Sequence, residues 1–251
     1  MSVNERVAIV TGSGSGIGEA TVKLLASNGA KVVVNDLDQE KIDRVVSEIK
    51  ANNENVIGIK ADVTNPEDVK RLIDTTVEEF GNLDILVNNA GINWIKPFQE
   101  YSLEEFTKLM DINLKSVFLT CQAAAPYMME QEYGRIINIS SRAWLGLENQ
   151  SVYSAAKAGV LGWTRTLALE LAKHQITSNA ICPGPVNTPL FKSLPEKEIQ
   201  ILSSTQPVRF IGDPEDLANG VLFFASDESS YITGQVFYID GGKSLYQSLS
   251  V

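Results

Sequence analysis

The 251-residue chain contains a single histidine, His174. One imidazole argues against a Ser-His-Asp hydrolase and against any metal site built on several histidines. Its two cysteines, Cys121 and Cys182, lie far apart and outside any CxxC pattern. That leaves no basis for a disulfide framework or a zinc site, and a reducing cytoplasm is the expected compartment. Basic residues are scarce, 21 Lys and Arg against 31 Asp and Glu, for a net charge of -10. A surface this acidic argues against nucleic acid and anionic lipid as partners. No run approaches the ~18 consecutive apolar residues a membrane span needs, and the opening MSVNER lacks the features of a signal peptide. The rest of the composition is that of a globular protein, 44% hydrophobic and 21% charged, and the length suits one domain over residues 1–251.

Short β-branched runs alternate with amphipathic stretches. Strands are expected at 7–10, 32–34, 56–59, 85–87, 136–139, 176–181 and 236–239. Between them, Val69, Leu72, Ile73, Thr76, Val77 and Phe80 keep helical spacing. Asn65-Pro66-Glu67-Asp68 opens that helix and Gly81 closes it. Ser102-Leu103-Glu104-Glu105 reads as a capping box, and Asp213-Pro214-Glu215-Asp216 repeats the proline-and-acid start. Such alternation predicts a doubly wound α/β fold of the Rossmann type, a parallel sheet of about seven strands with helices on both faces. Ligands in such sheets bind beyond the carboxyl ends of the strands.

After the first strand comes Thr11-Gly12-Ser13-Gly14-Ser15-Gly16-Ile17-Gly18. Glycines there let the backbone approach a pyrophosphate, which the helix N-terminus then holds. Asp36 ends the second strand, close to the ~20-residue offset at which an acid meets the ribose 2′-OH. A carboxylate repels a 2′-phosphate, and no Lys or Arg sits in the glycine loop or directly after Asp36. NAD is therefore expected rather than NADP, with Gly12, Ser15, Gly16, Ile17, Gly18 and Asp36 in its site.

Tyr153 and Lys157 lie four apart in Tyr153-Ser154-Ala155-Ala156-Lys157, on one face of a helix. A free tyrosine, with a pKa of about 10, is a poor base at neutral pH. A neighbouring ammonium favours the phenolate, which could then exchange a proton with an alcohol or ketone.

Together with Asn88-Asn89-Ala90-Gly91, Asn113, Ser140-Ser141 and Pro183-Gly184, these motifs resemble the short-chain dehydrogenase/reductase family over essentially the whole chain. The resemblance implies hydride transfer between a nicotinamide and a CH–OH group. It also implies Tyr153 as acid/base, Lys157 on the nicotinamide ribose, a serine on the substrate oxygen, Asn113 in a proton relay, and a homotetramer. The usual family spacing before the tyrosine points to Ser140. Ungapped alignment of the strand 134–139 points to Ser141, which is preferred because strand register sets which way a side chain faces. Asp62 and Val63 are expected near adenine, Asn89 and Gly91 along the cofactor cleft, and Pro183, Val186 and Thr188 near the nicotinamide amide.

Trp94, Arg142 and Trp144 are expected to line the substrate end, with 189–212 as a lid. The tryptophans point to a ring-bearing substrate. Arg142 either clamps an acidic group or faces solvent. One alternative is 3-oxoacyl-ACP reduction. Against it stand Asp36 and the acidic stretch Met129-Glu130-Gln131-Glu132, which would repel an acidic carrier. A non-catalytic dinucleotide sensor is the other, opposed by the intact Asn113, Ser141, Tyr153 and Lys157 set.

Overall fold

The computed structural model describes residues 1–53, 55–192 and 196–245. Strand and helix alternate from the start: β1 (Val7–Val10), α1 (Gly16–Ser27), β2 (Lys31–Asp36), α2 (Gln39–Lys50), β3 (Val56–Lys60), α3 (Pro66–Phe80) and β4 (Ile85–Asn88). The second half adds α4 (Leu103–Met110), α5 (Ser116–Glu130), β5 (Gly134–Ile139), α6 (Ser151–Leu171) and β6 (Ile176–Pro183). It ends with α7 (Pro189–Lys192), α8 (Glu196–Ser204), α9 (Pro214–Ala225) and β7 (Val236–Ile239). All seven expected strands form, differing from expectation only at their ends.

Local chemistry sets the boundaries. At α3 the Asn65 side chain accepts the Glu67 N–H at 2.9 Å, and Pro66 occupies the first turn. Gly81 stops the helix at a φ of 87°, a left-handed conformation glycine adopts without cost. At α4 the Ser102–Glu105 capping box forms in both directions.

The seven strands are all parallel, in the order β3-β2-β1-β4-β5-β6-β7. Successive side chains alternate between the two faces. Ala8, Val10, Val32, Val34, Ile85 and Val87 pack with Val22 and Leu25 of α1, Ile42 of α2, and Leu217 and Val221 of α9. Ile9, Val33 and Leu86 enter the opposite layer, among Leu72 of α3, Cys121 and Met128 of α5 and Val160 of α6. A slip of one residue in any of these strands would exchange the two sets, so both cores hold the register.

From β1 the chain winds outward to β3, then returns to place β4 on the other side of β1. The crevice at this reversal, beyond the carboxyl ends of β1 and β4, is where such sheets bind ligands. Between α4 and α5 the helix widens into a π-turn at Asp111–Lys115. Among the described residues no helix is long and apolar enough to cross a membrane.

Candidate active site

A cleft of about 1740 Å³ runs along the carboxyl ends of the strands. At one end lie Gly12, Ser15, Gly16, Ile17, Asp36, Asp62 and Val63; at the other lie Ser141, Tyr153 and Lys157, with Asn89, Gly91, Pro183, Val186 and Thr188 between. The fold thus brings nearly all the expected site residues to one continuous surface.

The glycine loop is locked from behind. Asn89 Nδ2 donates to the carbonyls of Thr11 (2.8 Å) and Gly12 (3.0 Å), and the Thr11 hydroxyl accepts the Asn89 and Ala90 N–H groups. Gly12 has a φ of 61°, and a Cβ there would stand 2.9 Å from Ala90 Cα. Gly18 does not line the cleft. A side chain on it would drive into Gly12 and Asn89, so it is the point of contact between α1 and the loop. Ser15 caps α1 without a side-chain hydrogen bond, which leaves the first-turn N–H groups facing the cleft. That arrangement fits a pyrophosphate. Asp36 accepts N–H bonds from Gly14 at 3.0 Å and Leu37 at 2.8 Å, holding its carboxylate at the cleft wall. Asp62 is oriented by Thr64, whose N–H and hydroxyl both donate to it at 2.8 Å.

At the reactive end, Lys157 is buried and its Nζ donates to the Ile139 carbonyl at 2.9 Å. Burial pushes its pKa down to about 8. Its Nζ lies 5.7 Å from the centre of the Tyr153 ring. Burial pushes Tyr153 up, while interaction with the Ser141 hydroxyl pulls the other way. This reverses the direction expected from the sequence, because burial penalises phenolate and ammonium alike before either finds a charged partner. The two serines separate by register. Ser140, last before the turn, points inward and donates to the Lys157 carbonyl at 2.8 Å. Ser141 faces Tyr153 and the cleft.

Asn113 sits in the π-turn, fully buried behind Gly91. Its amide donates to Ile92 O (2.9 Å) and Leu109 O (3.0 Å), while its carbonyl oxygen has no partner among the described residues. A Cβ on Gly91 would meet that oxygen at 2.8 Å and Lys157 Nζ at 3.4 Å, so Gly91 is the thin wall between them and the cleft.

Residues 12–244 match the family profile described as enoyl-(acyl carrier protein) reductase. The chain is 46% identical, over 98% of its length and 99% of the relative's, to (2S)-[(R)-hydroxy(phenyl)methyl]succinyl-CoA dehydrogenase subunit BbsD of Thauera aromatica. It belongs to the short-chain dehydrogenase/reductase family. Another member, 3-oxoacyl-[acyl-carrier-protein] reductase FabG of Thermotoga maritima, is 41% identical over 96% of this chain and 99% of its own. The crystal structure of levodione reductase superposes with a TM-score of 0.93 at 35% identity, covering 97% of this chain and 99% of that one.

Against this short-chain dehydrogenase/reductase frame, two expected substrate residues are displaced. Trp144 packs with Leu161, Ala180, Cys182 and Tyr238, away from the cleft. It is the third residue of a tight turn, Arg142–Leu145, which sends Arg142 to the cleft and the indole to the core side. Trp94 also falls outside the cleft lining; Lys108 lies 5.9 Å over its ring and the Tyr101 hydroxyl donates to its carbonyl at 2.6 Å. Ile92, Ile95, Leu147, Phe191 and Leu202 line the cleft there. Phe191 and Leu202 belong to the expected lid, which is described except at 193–195.

Sequence spacing also missed two cations at the adenosine end. Lys41 reaches the cleft wall from α2. Arg44 donates to the Gly14 carbonyl at 2.9 Å, with Glu19 and Glu48 at 2.7 and 3.0 Å. Both become neighbours of the loop only because α2 crosses α1, which no linear pattern reveals.

Proposed function

We propose that this chain is an NAD-dependent dehydrogenase that interconverts a secondary alcohol and its ketone. The observation that carries the proposal is the convergence of the Ser141 hydroxyl, the Tyr153 phenol and the Lys157 amine at one end of the cleft whose other end is the glycine loop. When bound, the nicotinamide supplies the hydride acceptor or donor. Ser141 and Tyr153 hold the substrate oxygen from two directions. Tyr153 takes the alcohol proton, or returns one to the ketone. Lys157, kept within reach of the ring, favours the phenolate whenever it carries its proton. The unpartnered carbonyl oxygen of Asn113, across Gly91 from Lys157 Nζ, extends the polar path for that proton.

NAD is favoured by the Asp36 carboxylate at the cleft wall. Of the two cations that could offset it, Arg44 is already bound to two carboxylates and Lys41 lies 3.6 Å from Asp38. The resemblance to a hydroxy(phenyl)methyl dehydrogenase supports an alcohol carbon with a bulky apolar substituent, which Ile95, Leu147 and Phe191 suit. The homotetramer is supported by an open apolar groove of about 380 Å³ lined by Met110, Leu114, Phe118, Gly159 and Trp163, a surface suited to a second copy.

Steady-state assays with NAD and NADP over a panel of cyclic and phenyl-bearing secondary alcohols, with a 3-oxoacyl thioester alongside, test the reading. NAD-linked turnover of the alcohols supports it. Turnover of the thioester alone with NADPH replaces it with the 3-oxoacyl reductase activity named in the Thermotoga relative.

A further inference from the structure

Two cations from distant parts of the chain line one cleft. Arg142 follows Ser141 directly and opens the Arg142–Leu145 turn. Lys243 follows β7, in a turn shaped by Asp240, whose carboxylate accepts the N–H groups of Gly242 at 3.0 Å and Ser244 at 2.6 Å. Both side chains line the cleft that holds Tyr153.

Their surroundings are those of a site rather than of a solvated surface. Arg142 forms no ion pair among the described residues, and its Nε is buried without a hydrogen-bond partner. A chain with 31 acidic residues has carboxylates in excess, and most of its cations near α1 and α2 have found one. A half-buried guanidinium kept apart from all of them loses hydration without gaining a partner. Lys243 Nζ donates to the Thr205 carbonyl at 2.8 Å. Its pKa is held down by burial and next by the positive field of Arg142, as expected of two cations facing one space. The turn cannot move away easily. Gly241 and Gly242 adopt φ values of 62° and 81°, and a Cβ on Gly241 would meet Val208 Cγ2 at 2.6 Å. The root of the lid is packed against the turn that presents Lys243.

We propose that Arg142 and Lys243 form an anion site for a carboxylate carried by the substrate. This deepens the alcohol dehydrogenase reading and rests on it, since Ser141 and Tyr153 set where the carbinol carbon lies. Arg142, Ser141 and Tyr153 line the same cleft, so the anion belongs to the same small molecule as the reacting carbon. A guanidinium fork beside an ammonium matches the two oxygens of a carboxylate.

The experiment compares a phenyl-bearing β-hydroxy acid with its methyl ester on the full chain. Arg142→Ala and Lys243→Ala are each expected to raise KM for the acid roughly ten- to a hundredfold, the scale of one hydrogen bond to a charged group. The ester should change at least tenfold less, and Arg142→Lys should recover part of the loss. Equal effects on acid and ester overturn the site. Calorimetric titration with succinate, and separately with inorganic phosphate, reads binding without turnover. Saturable succinate binding lost in both variants supports the site even if no alcohol is oxidised, in which case only the dehydrogenase reading fails. Ester turnover by the wild type with neither succinate binding nor a preference for the acid overturns the site and leaves the dehydrogenase standing. Phosphate binding tighter than succinate overturns the carboxylate assignment.

Discussion

The two ends of the sheet differ in how they place their charges. At the amino end of the strands charges mostly face one another, although Arg135 Nε is buried without a partner among the described residues. Buried Asp84 accepts the Val7 N–H at 2.8 Å and an Asn82 amide at 2.9 Å. Arg6 and Arg135 lie 3.7 and 4.3 Å from the centre of the Tyr133 ring, and the Tyr133 hydroxyl donates to Asp227, which also pairs with Arg6 at 3.0 Å. At the carboxyl end, the Asn113 and Asn93 carbonyl oxygens and Arg142 Nε are buried without partners among the described residues. An unmade buried hydrogen bond costs about 1–3 kcal/mol. The amino end thus sets its charges mainly against one another, while the carboxyl end leaves polar groups open beside the cleft.

The comparison breaks most sharply at Tyr153. Tyr153→Phe is expected to lower turnover by roughly 10²–10⁴, the range for loss of a general acid/base. Melting temperature and dinucleotide binding, read by fluorescence titration, should stay near wild type. Near-normal turnover would remove Tyr153 from the chemistry and revive the sensor reading.

The reverse experiment is Asp84→Ala, which strands the Val7 N–H and the Asn82 amide. It should cost about 3 kcal/mol in denaturant unfolding while leaving KM of the remaining folded enzyme unchanged. A change in KM without a change in stability would show that the two ends are not separable.

A smaller effect is expected at Asp36. Asp36→Ala should narrow the ratio of kcat/KM for NAD over NADP by about tenfold, through weaker ribose binding and relieved repulsion of a 2′-phosphate. A wild type that prefers NADP would show that Lys41 outweighs the carboxylate.

The smallest effect is on acid stability. Hydrogen bonds from Arg44 and then Lys23 hold Glu19 down at about 2, against an ordinary 4.5. Its folded pKa is depressed, so its contribution is complete above about 4.5 and fades as pH falls toward 2. Glu19→Gln should flatten that part of the stability profile, followed by circular dichroism; an unchanged profile would mean the α1–α2 ion cluster adds nothing.

What could be read from the sequence followed from local rules. Strands and caps are set by neighbours a few residues away, and the glycine loop carries its own conformational signature. That Ser140 and Ser141 face different ways could be read because strand side chains alternate by two. The tryptophans could not be placed, because aromatic size predicts burial but not which side of a turn is buried. Lys41, Arg44 and Lys243 act across elements that only the packed sheet brings together. The direction of the Tyr153 shift depends on how deeply Tyr153 itself is buried, which spacing does not encode.

The π-turn at Asp111–Lys115 has a consequence for the way this stretch can change. A π-turn is equivalent to one residue inserted into an α-helix. Each residue turns a helix by about 100°. Closing the wide turn into a regular helix while keeping that residue would rotate everything beyond it by that angle. Val117, Cys121 and Ala124 would swing out of the core, and Leu109 O would lose the Asn113 amide that now occupies it. The extra residue works as a phase shifter: it sets the clocking of α5 against the sheet and the aim of Asn113 with one adjustment.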